Sequence, residues 1–251
     1  MTDPPDWQDW QRRWDRQQSN YLPQREHTMS LMLDIVEKTT GPIPRLLDLG
    51  CGPGSLLTRA ARRFPGSDLV GVDLDPFLLE IAQNVVRNRS VFLQADFCQD
   101  GWDLQLGPRR FDAVCSASVI HYLHRRQLGP LMETLARRLR PGGVLIIADT
   151  FRLGPQNRPR LDQLAVDLRR HLWDGDCDAG TETWTQWWES ARAEPAFDEL
   201  FRQREQAVAG LADHEDELTL DLVTAALEQA GFSEVATVDQ TADHHLIAAV
   251  G

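Results

Sequence analysis

The chain has 251 residues, 42% hydrophobic and 25% charged, which suits a single α/β domain with a sizeable core. Its formal net charge of −12 sets an acidic surface against phosphate backbones, so no nucleic-acid partner is expected. No apolar stretch approaches the ~20 residues that span a bilayer, the polar start "MTDPPDWQDW" has no signal-peptide core, and four dispersed cysteines (Cys51, Cys98, Cys115, Cys177) fit a reduced, cytoplasmic protein with no membrane partner.

Residues 5–38 read as one helix, with Trp7, Trp10 and Trp14 at i, i+3 and i+7 on a single face. Such a face either packs on the domain body or lies over a ligand. "TTGPIP" (Thr39–Pro44) breaks it. From Arg45, apolar runs alternate with helical periodicity. "RLLDLG" reads as strand, "GSLLTRAARRF" as helix and "DLVGVD" as strand. "DPFLLEIAQNVVRN" is a helix with Asp75 as N-cap and Pro76 at N1. "SVFLQAD" and "RFDAVCSAS" are strands, "LGPLMETLARRLR" is a helix ended by "PGG", and "GVLIIADT" is a fifth strand. This alternation dictates parallel βαβ units with helices on both faces.

The regularity stops after Phe151. Residues 152–216 hold helical stretches and the aromatic cluster "WTQWWE", as a helical insertion would. "TLDLVTAALEQAG" is a helix from an N-cap at Thr219 to Gly231 at C′. "FSEVATV" and "HHLIAAV" close the chain as an antiparallel hairpin, because the link "DQTAD" is too short for a crossover. Scattered arginine pairs, such as Arg62-Arg63 and Arg137-Arg138, fall on helix ends and solvent faces. The whole chain, 1–251, then divides into an N-terminal helical cap (1–40), a core (41–151), the insertion (152–216) and a closing helix and hairpin (217–251).

The stretch "LLDLGCGPG" carries the first chemical signal. It joins a strand to a helix, so its loop lies at a carboxyl end of the sheet, where such folds bind ligands. The glycines fall at 50, 52 and 54, without the G-x-x-G half of a dinucleotide fingerprint. Asp48 precedes the loop, and a carboxylate there repels a phosphate but suits an ammonium. Asp73 and Asp96 end the second and third strands. Asp73 can accept from two ribose hydroxyls and Asp96 from an exocyclic amine such as that of adenine. An adenosine with a cationic amino-acid tail and no phosphate, S-adenosylmethionine, meets all three conditions.

Together "LLDLGCGPG", "GVDLDP", "QADF", "FDAVCSASVIHYL" and "LRPGGVLIIAD" resemble the ordered motifs of the class I S-adenosylmethionine-dependent methyltransferases. The resemblance is close over Arg45–Asp149 and extends through the closing helix, "AGF" turn and hairpin. It implies a Rossmann-like, doubly wound α/β fold with a seven-stranded sheet in the order 3-2-1-4-5-7-6, strand 7 antiparallel. It implies S-adenosyl-L-methionine as cofactor and S-adenosyl-L-homocysteine as its product. By the same resemblance, Gly50, Cys51, Gly52 and Gly54 would lie against the methionine and ribose parts, and Asp48 near the amino group. Asp73 would bind ribose, with Leu74 on one adenine face. Asp96 and the Phe97 N–H would meet the adenine edge, and Ser116 and Ala117 would line the methionine end.

The acceptor is less defined. A general base is needed only where the acceptor must lose a proton, and His121 in "VIHYL" is the candidate, with Tyr122, Asp149 and His244-His245 also present. "SASV" replaces the N-P-P-Y-type tetrapeptide of base and glutamine methylation. No Cys/His spacing or acid pair suggests a metal, so none is expected. A small aromatic or apolar acceptor is expected, enclosed by Trp14, Tyr21, Arg25, Phe151, Trp184, Trp187 and Trp188. Monomer and homodimer both stay open. So do three rivals: other chemistry at the same cofactor site, a non-catalytic cofactor-binding scaffold, and a nicotinamide dehydrogenase, which the glycine spacing disfavours.

Overall fold

A computed structural model describes residues 4–22, 24–86, 89–175, 180–211 and 217–251. Its seven strands are β1 (Arg45–Leu49), β2 (Asp68–Asp73), β3 (Ser90–Gln94), β4 (Phe111–Ala117), β5 (Leu139–Thr150), β6 (Glu234–Thr241) and β7 (His244–Val250). They form one sheet in the order β3-β2-β1-β4-β5-β7-β6. β1 to β5 pair in parallel, whereas β7 runs antiparallel to both β5 and β6. This is the order and orientation expected from the sequence motifs.

The central strands read as unbroken apolar runs because both faces are covered. Period-two alternation divides them between two cores. Leu47, Val114, Leu145 and Ile147 belong to one, which takes in α5 (Arg125–Arg138) and α9 (Leu220–Gln229). Leu46, Cys115, Val144 and Ile146 belong to the other, which takes in α2 (Arg25–Thr40) and α3 (Ser55–Arg63). A third cluster lies apart. There Trp10 and its neighbours Trp7 and Trp14 on α1 (Trp7–Ser19) pack with Phe77, Trp187, Phe197 and Phe201. The tryptophan face of α1 is therefore mainly a packing face.

Three boundaries differ from the sequence reading. The single helix expected over 5–38 is two, α1 and α2. The sequence carries Pro23 between them, and a proline removes an N–H and biases its predecessor away from helix. "PGG" does not separate helix from strand. β5 starts at Leu139, and the segment passes through a register shift between Phe111 and Ala113. A Cβ at Gly143 would come within 2.9 Å of the Arg140 carbonyl and 3.0 Å of that of Asp112, so only glycine fits. The closing hairpin turns on Ala242 and Asp243 alone, with Ala242 at φ 55°, because β6 continues to Thr241. A 3-10 turn at Trp102–Leu106, buried at both ends, was not expected.

Residues 152–216 supply α6 (Pro159–Gly175), α7 (Trp184–Arg192), a 3-10 turn (Pro195–Phe197) and α8 (Asp198–Ala207). Thr183 and Gln186 cap α7 reciprocally. α4 (Pro76–Val85) starts as read, with Asp75 accepting from the Phe77 and Leu78 N–H groups at 2.9 and 3.3 Å. Cys177 lies outside the described residues. Among the described residues, no helix is long and apolar enough to cross a membrane, and no group of three or more His, Cys, Asp and Glu could hold a metal ion.

Gly50 sits where the loop after β1 meets the segment after β4. It has φ 72°, and a Cβ there would stand 2.3 Å from a Val119 methyl. Gly50→Ala is expected to destabilise by about 2–3 kcal/mol, from overpacking against a β-branched side chain and left-handed strain. Thermal unfolding should show a fall of roughly 5–10 °C in Tm; an unchanged Tm would show that Val119 moves aside without cost.

Candidate active site

The glycine loop is shaped from β2. The N–H groups of Gly50 and Cys51 both donate to the Val72 carbonyl, at 2.7 and 3.0 Å. Gly52 N–H donates to Asp73 Oδ2 at 2.7 Å, and Asp73 Oδ1 accepts the Asp75 N–H at 2.9 Å. Each Asp73 oxygen keeps a lone pair for a further donor. Burial pushes this carboxyl up to about 6, although the N–H groups of Asp75, Gly52 and Leu74 favour its charged form. Around Gly52 a Cβ would touch nothing closer than Leu78 at 4.0 Å, so the backbone is open to an approaching ligand.

Asp48, at the end of β1, is 2% exposed and accepts no hydrogen bond among the described residues. Burial and then the neighbouring Asp73 push it up to about 8, against the pull of Arg25. Asp96 accepts the Cys98 N–H at 2.9 Å and the Gln99 side-chain amide at 3.1 Å. Burial raises the Cys51 thiol well above its ordinary value, so it stays protonated in the loop.

These groups share one cleft of about 590 Å³. Asp48, Gly50, Cys51, Gly52, Asp73, Leu74, Asp96, Phe97 and Ala117 line it, as do His121, Trp14, Tyr21, Arg25, Trp184 and Trp188. Four expected residues do not. The space that a Cβ at Gly54 would fill is occupied by Val86 and Ala82, so that glycine serves helix packing. The Ser116 hydroxyl is buried and donates to the Leu49 carbonyl at 3.1 Å, tying β4 to β1. Phe151 and Trp187 are each 0% exposed, the first in the sheet core and the second in the tryptophan cluster. Residue type alone had marked those two as pocket walls.

A dyad after β4 and at the end of β5 was not foreseen as a pair. His121 Nδ1 lies 2.8 Å from Asp149 Oδ1. Asp149 Oδ2 also accepts the N–H groups of Val119, Ile120 and His121, and Oδ1 accepts that of Thr150. Burial opposes its charge, but His121 and these donors prevail and hold the carboxyl below its ordinary value. An ionised Asp149 fixes the proton on Nδ1 and makes Nε2 the ring's basic nitrogen. His121 and Asp149 both line the cleft. Their pairing spans 28 residues, which no local pattern reports.

Two further features close the cleft. Arg204 on α8 donates from Nε to Asp75 Oδ2 at 2.6 Å and stacks 3.8 Å above the Trp188 ring. α1 is pinned to the glycine loop: Gln11 Nε2 donates to the Pro53 carbonyl at 2.6 Å, and Asp15 accepts from Ser55 Oγ at 2.5 Å. Arg25 Nη1 meets the same Asp15 at 2.8 Å.

Residues 46–143 match the methyltransferase domain family. The chain is 27% identical over 191 residues to a malonyl-[acyl-carrier protein] O-methyltransferase of a Paenibacillus species, covering 72% of this chain and 66% of that protein. It is 30% identical over 171 residues to the secondary metabolism regulator laeA of Coprinopsis cinerea, covering 62% and 40%. The chain thus spans about two fifths to two thirds of the length of these curated relatives. The crystal structure of DesVI from Streptomyces venezuelae superposes with a TM-score of 0.59 at 18% identity, over 98% of this chain and 99% of that one, a likeness of fold. Residues 46–143 thus carry a methyltransferase domain, and the sheet order and the glycine loop at the carboxyl end of β1 are those of the class I S-adenosylmethionine-dependent fold, with S-adenosyl-L-methionine as cofactor.

Proposed function

We propose that the chain transfers a methyl group from S-adenosylmethionine to an O, N or C atom of a small aromatic or apolar acceptor. The observation that carries this reading is a single cleft lined by acids, an open glycine backbone, a His–Asp dyad and aromatic side chains. The residues fit the cofactor. Asp48 offers a buried carboxylate with no hydrogen-bond donor among the described residues to an ammonium, Asp73 has lone pairs left for hydroxyls, and Asp96 stands at the next strand end for an amine. When bound, the cofactor supplies an electrophilic methyl carbon on a sulfonium.

The chain's own residues then have separate tasks. Trp14, Tyr21, Trp184 and Trp188 enclose the acceptor and exclude water. His121 Nε2 takes the proton of a hydroxyl or amine acceptor as it becomes nucleophilic. Asp149 stabilises the resulting imidazolium, and its backbone donors keep the ring oriented. The malonyl-carrier relative is named as an O-methyltransferase, which supports an oxygen acceptor.

Calorimetric titration with S-adenosylmethionine, S-adenosylhomocysteine and NADH tests the cofactor half. Micromolar binding of the first two and none of NADH is expected; the reverse would move the chain to the nicotinamide enzymes. Asp73→Asn should weaken S-adenosylhomocysteine at least tenfold and lower Tm by about 3–6 °C, because its amide can accept only one of the two backbone N–H groups; unchanged affinity would remove Asp73 from the site.

Asp48 gives a pH signature. Its folded value is raised to about 8, so the ligand-free folded state holds a proton that the unfolded state releases near 4. The carboxyl therefore costs stability progressively as pH rises from about 4 through 8. Asp48→Asn removes that cost, and its Tm should gain on the parent by roughly 5 °C between pH 5 and pH 9. Cofactor affinity in the parent should rise over pH 6 to 8 as Asp48 ionises, and this slope should flatten in the variant.

His121→Gln should lower kcat at least ~10²-fold on a protic acceptor found by screening, with KM little changed. A kcat within threefold of the parent would leave the dyad a structural role.

A further inference from the structure

Two walls of the cleft are held in different ways. On one side α1 is tied to the glycine loop and α3 at several points, by Gln11 on Pro53 and by Asp15 on Ser55 and Arg59. On the other, α8 has one polar contact with the sheet core among the described residues, from Arg204 Nε to Asp75 Oδ2 at 2.6 Å. Its remaining polar bonds stay within the helix, Arg202 and Gln203 on Glu199, or run from Glu205 to Arg192 of α7. Phe201 roots the middle of α8 in the aromatic cluster. Beyond that root, Arg204, Val208 and Leu211, at i, i+4 and i+7, line the cleft with Leu74, Asp75 and Leu78. Asp75 lies two residues beyond Asp73, so this segment stands beside the acid that suits the ribose.

The Arg204 contact balances opposed costs. Asp75 is 5% exposed, its Oδ1 caps α4, and Arg204 is the one donor to Oδ2 among the described residues. Lifting the segment strands that oxygen and takes the guanidinium off the Trp188 ring, 3.8 Å away. Trp188 pulls the other way. Its Nε1 is buried with no acceptor among the described residues, and a lifted segment lets water reach it. One ion pair thus decides between two positions of the same short stretch.

We propose that Arg204–Leu211 is a gate on the cofactor, held shut by Arg204 on Asp75, and that S-adenosylmethionine enters and S-adenosylhomocysteine leaves only while this pair is broken. The proposal rests on the cofactor assignment above. A gate scales entry and exit alike, by the fraction of time it stands open. A side chain that merely touches the ligand changes exit and leaves entry as it was.

Stopped-flow tryptophan fluorescence separates the two. The observed rate of S-adenosylhomocysteine binding is plotted against its concentration, the slope giving kon and the intercept koff. Arg204→Gln should raise both at least fivefold, with Kd within threefold of the parent. Asp75→Ser breaks the pair from the other side while keeping a hydroxyl on the α4 N-terminus, and should do the same, so one folded variant suffices. The double variant should be within twofold of the faster single, because both changes remove one interaction. Arg204→Lys, which restores the charge, should return both rates to within threefold of the parent. Unchanged rates in Arg204→Gln would overturn the proposal and leave the pair a structural tie. A rise in koff alone would overturn it by making Arg204 a ligand contact, and single effects that multiply in the double variant would overturn the shared latch. Failure of the parent to bind S-adenosylhomocysteine would remove the cofactor assignment first, and the gate with it.

Discussion

The carboxylate of Asp73 is the joint on which the site turns. One oxygen receives the Gly52 N–H and the other the Asp75 N–H, so a single side chain at the end of β2 shapes the glycine loop and sets the start of α4. Hydrogen bonds to a charged acceptor are worth roughly 1.5–3 kcal/mol, enough to hold a glycine-rich segment that otherwise has much conformational freedom. The chain of dependence continues outward. Asp75 spends one oxygen on capping α4 and the other on Arg204, whose guanidinium lies over Trp188. The helices after β5 are therefore registered against the cofactor end of the cleft by an ion pair spanning 129 residues.

α1 works as a two-sided wedge between the same two regions. Gln11 and Asp15, at i and i+4, face the glycine loop and α3. Asp15 collects Ser55, Arg25 and Arg59 at 2.5, 2.8 and 3.1 Å. On the other side Trp10 and Trp14 meet the Trp187 ring edge to face, 5.5 and 4.9 Å between centroids, and Arg13 pairs with Glu182. A helix with a mean hydropathy well below zero is thus held by a polar network on one side and an aromatic one on the other. Its position is fixed relative to both ends of the cleft at once.

The fold was legible because its signals are local. Apolar runs mark strands covered on both faces, and Asp75 and Thr219 cap the helices where their side chains predict. The acids of the cofactor end were legible for the same reason: a residue at a strand's carboxyl end has its place fixed by the strand. What failed depended on direction rather than position. Trp187 and Trp188 are adjacent on one helix, yet one is 0% exposed in the aromatic cluster and the other lines the cleft. Phe151 follows β5 as expected, but its ring turns into the sheet core. The His121–Asp149 and Asp75–Arg204 pairs join distant segments, and nothing in either neighbourhood names the partner.

Three acids of the cleft, Asp149, Asp73 and Asp48, show how satisfaction sorts structure from function. Asp149 accepts from four backbone N–H groups and from His121, and is held below the ordinary carboxylate range. Such a group is charged, immobile and suited to orienting another side chain. Asp73 accepts from two backbone donors and is pushed up to about 6, so it shapes the loop and still has capacity for a ligand. Asp48 has no hydrogen-bond donor among the described residues and is pushed up to about 8, which leaves it mostly protonated near neutrality in the ligand-free chain. A buried carboxyl in that state sheds its charge instead of forcing it into an apolar site, and the cost to folding is that of holding the proton, which grows as pH rises from about 4 through 8. The same group becomes a full anion once a cation stands beside it. The gradient from Asp149 to Asp48 therefore runs from the part of the cleft that must be rigid before any ligand arrives to the part whose charge the ligand itself completes.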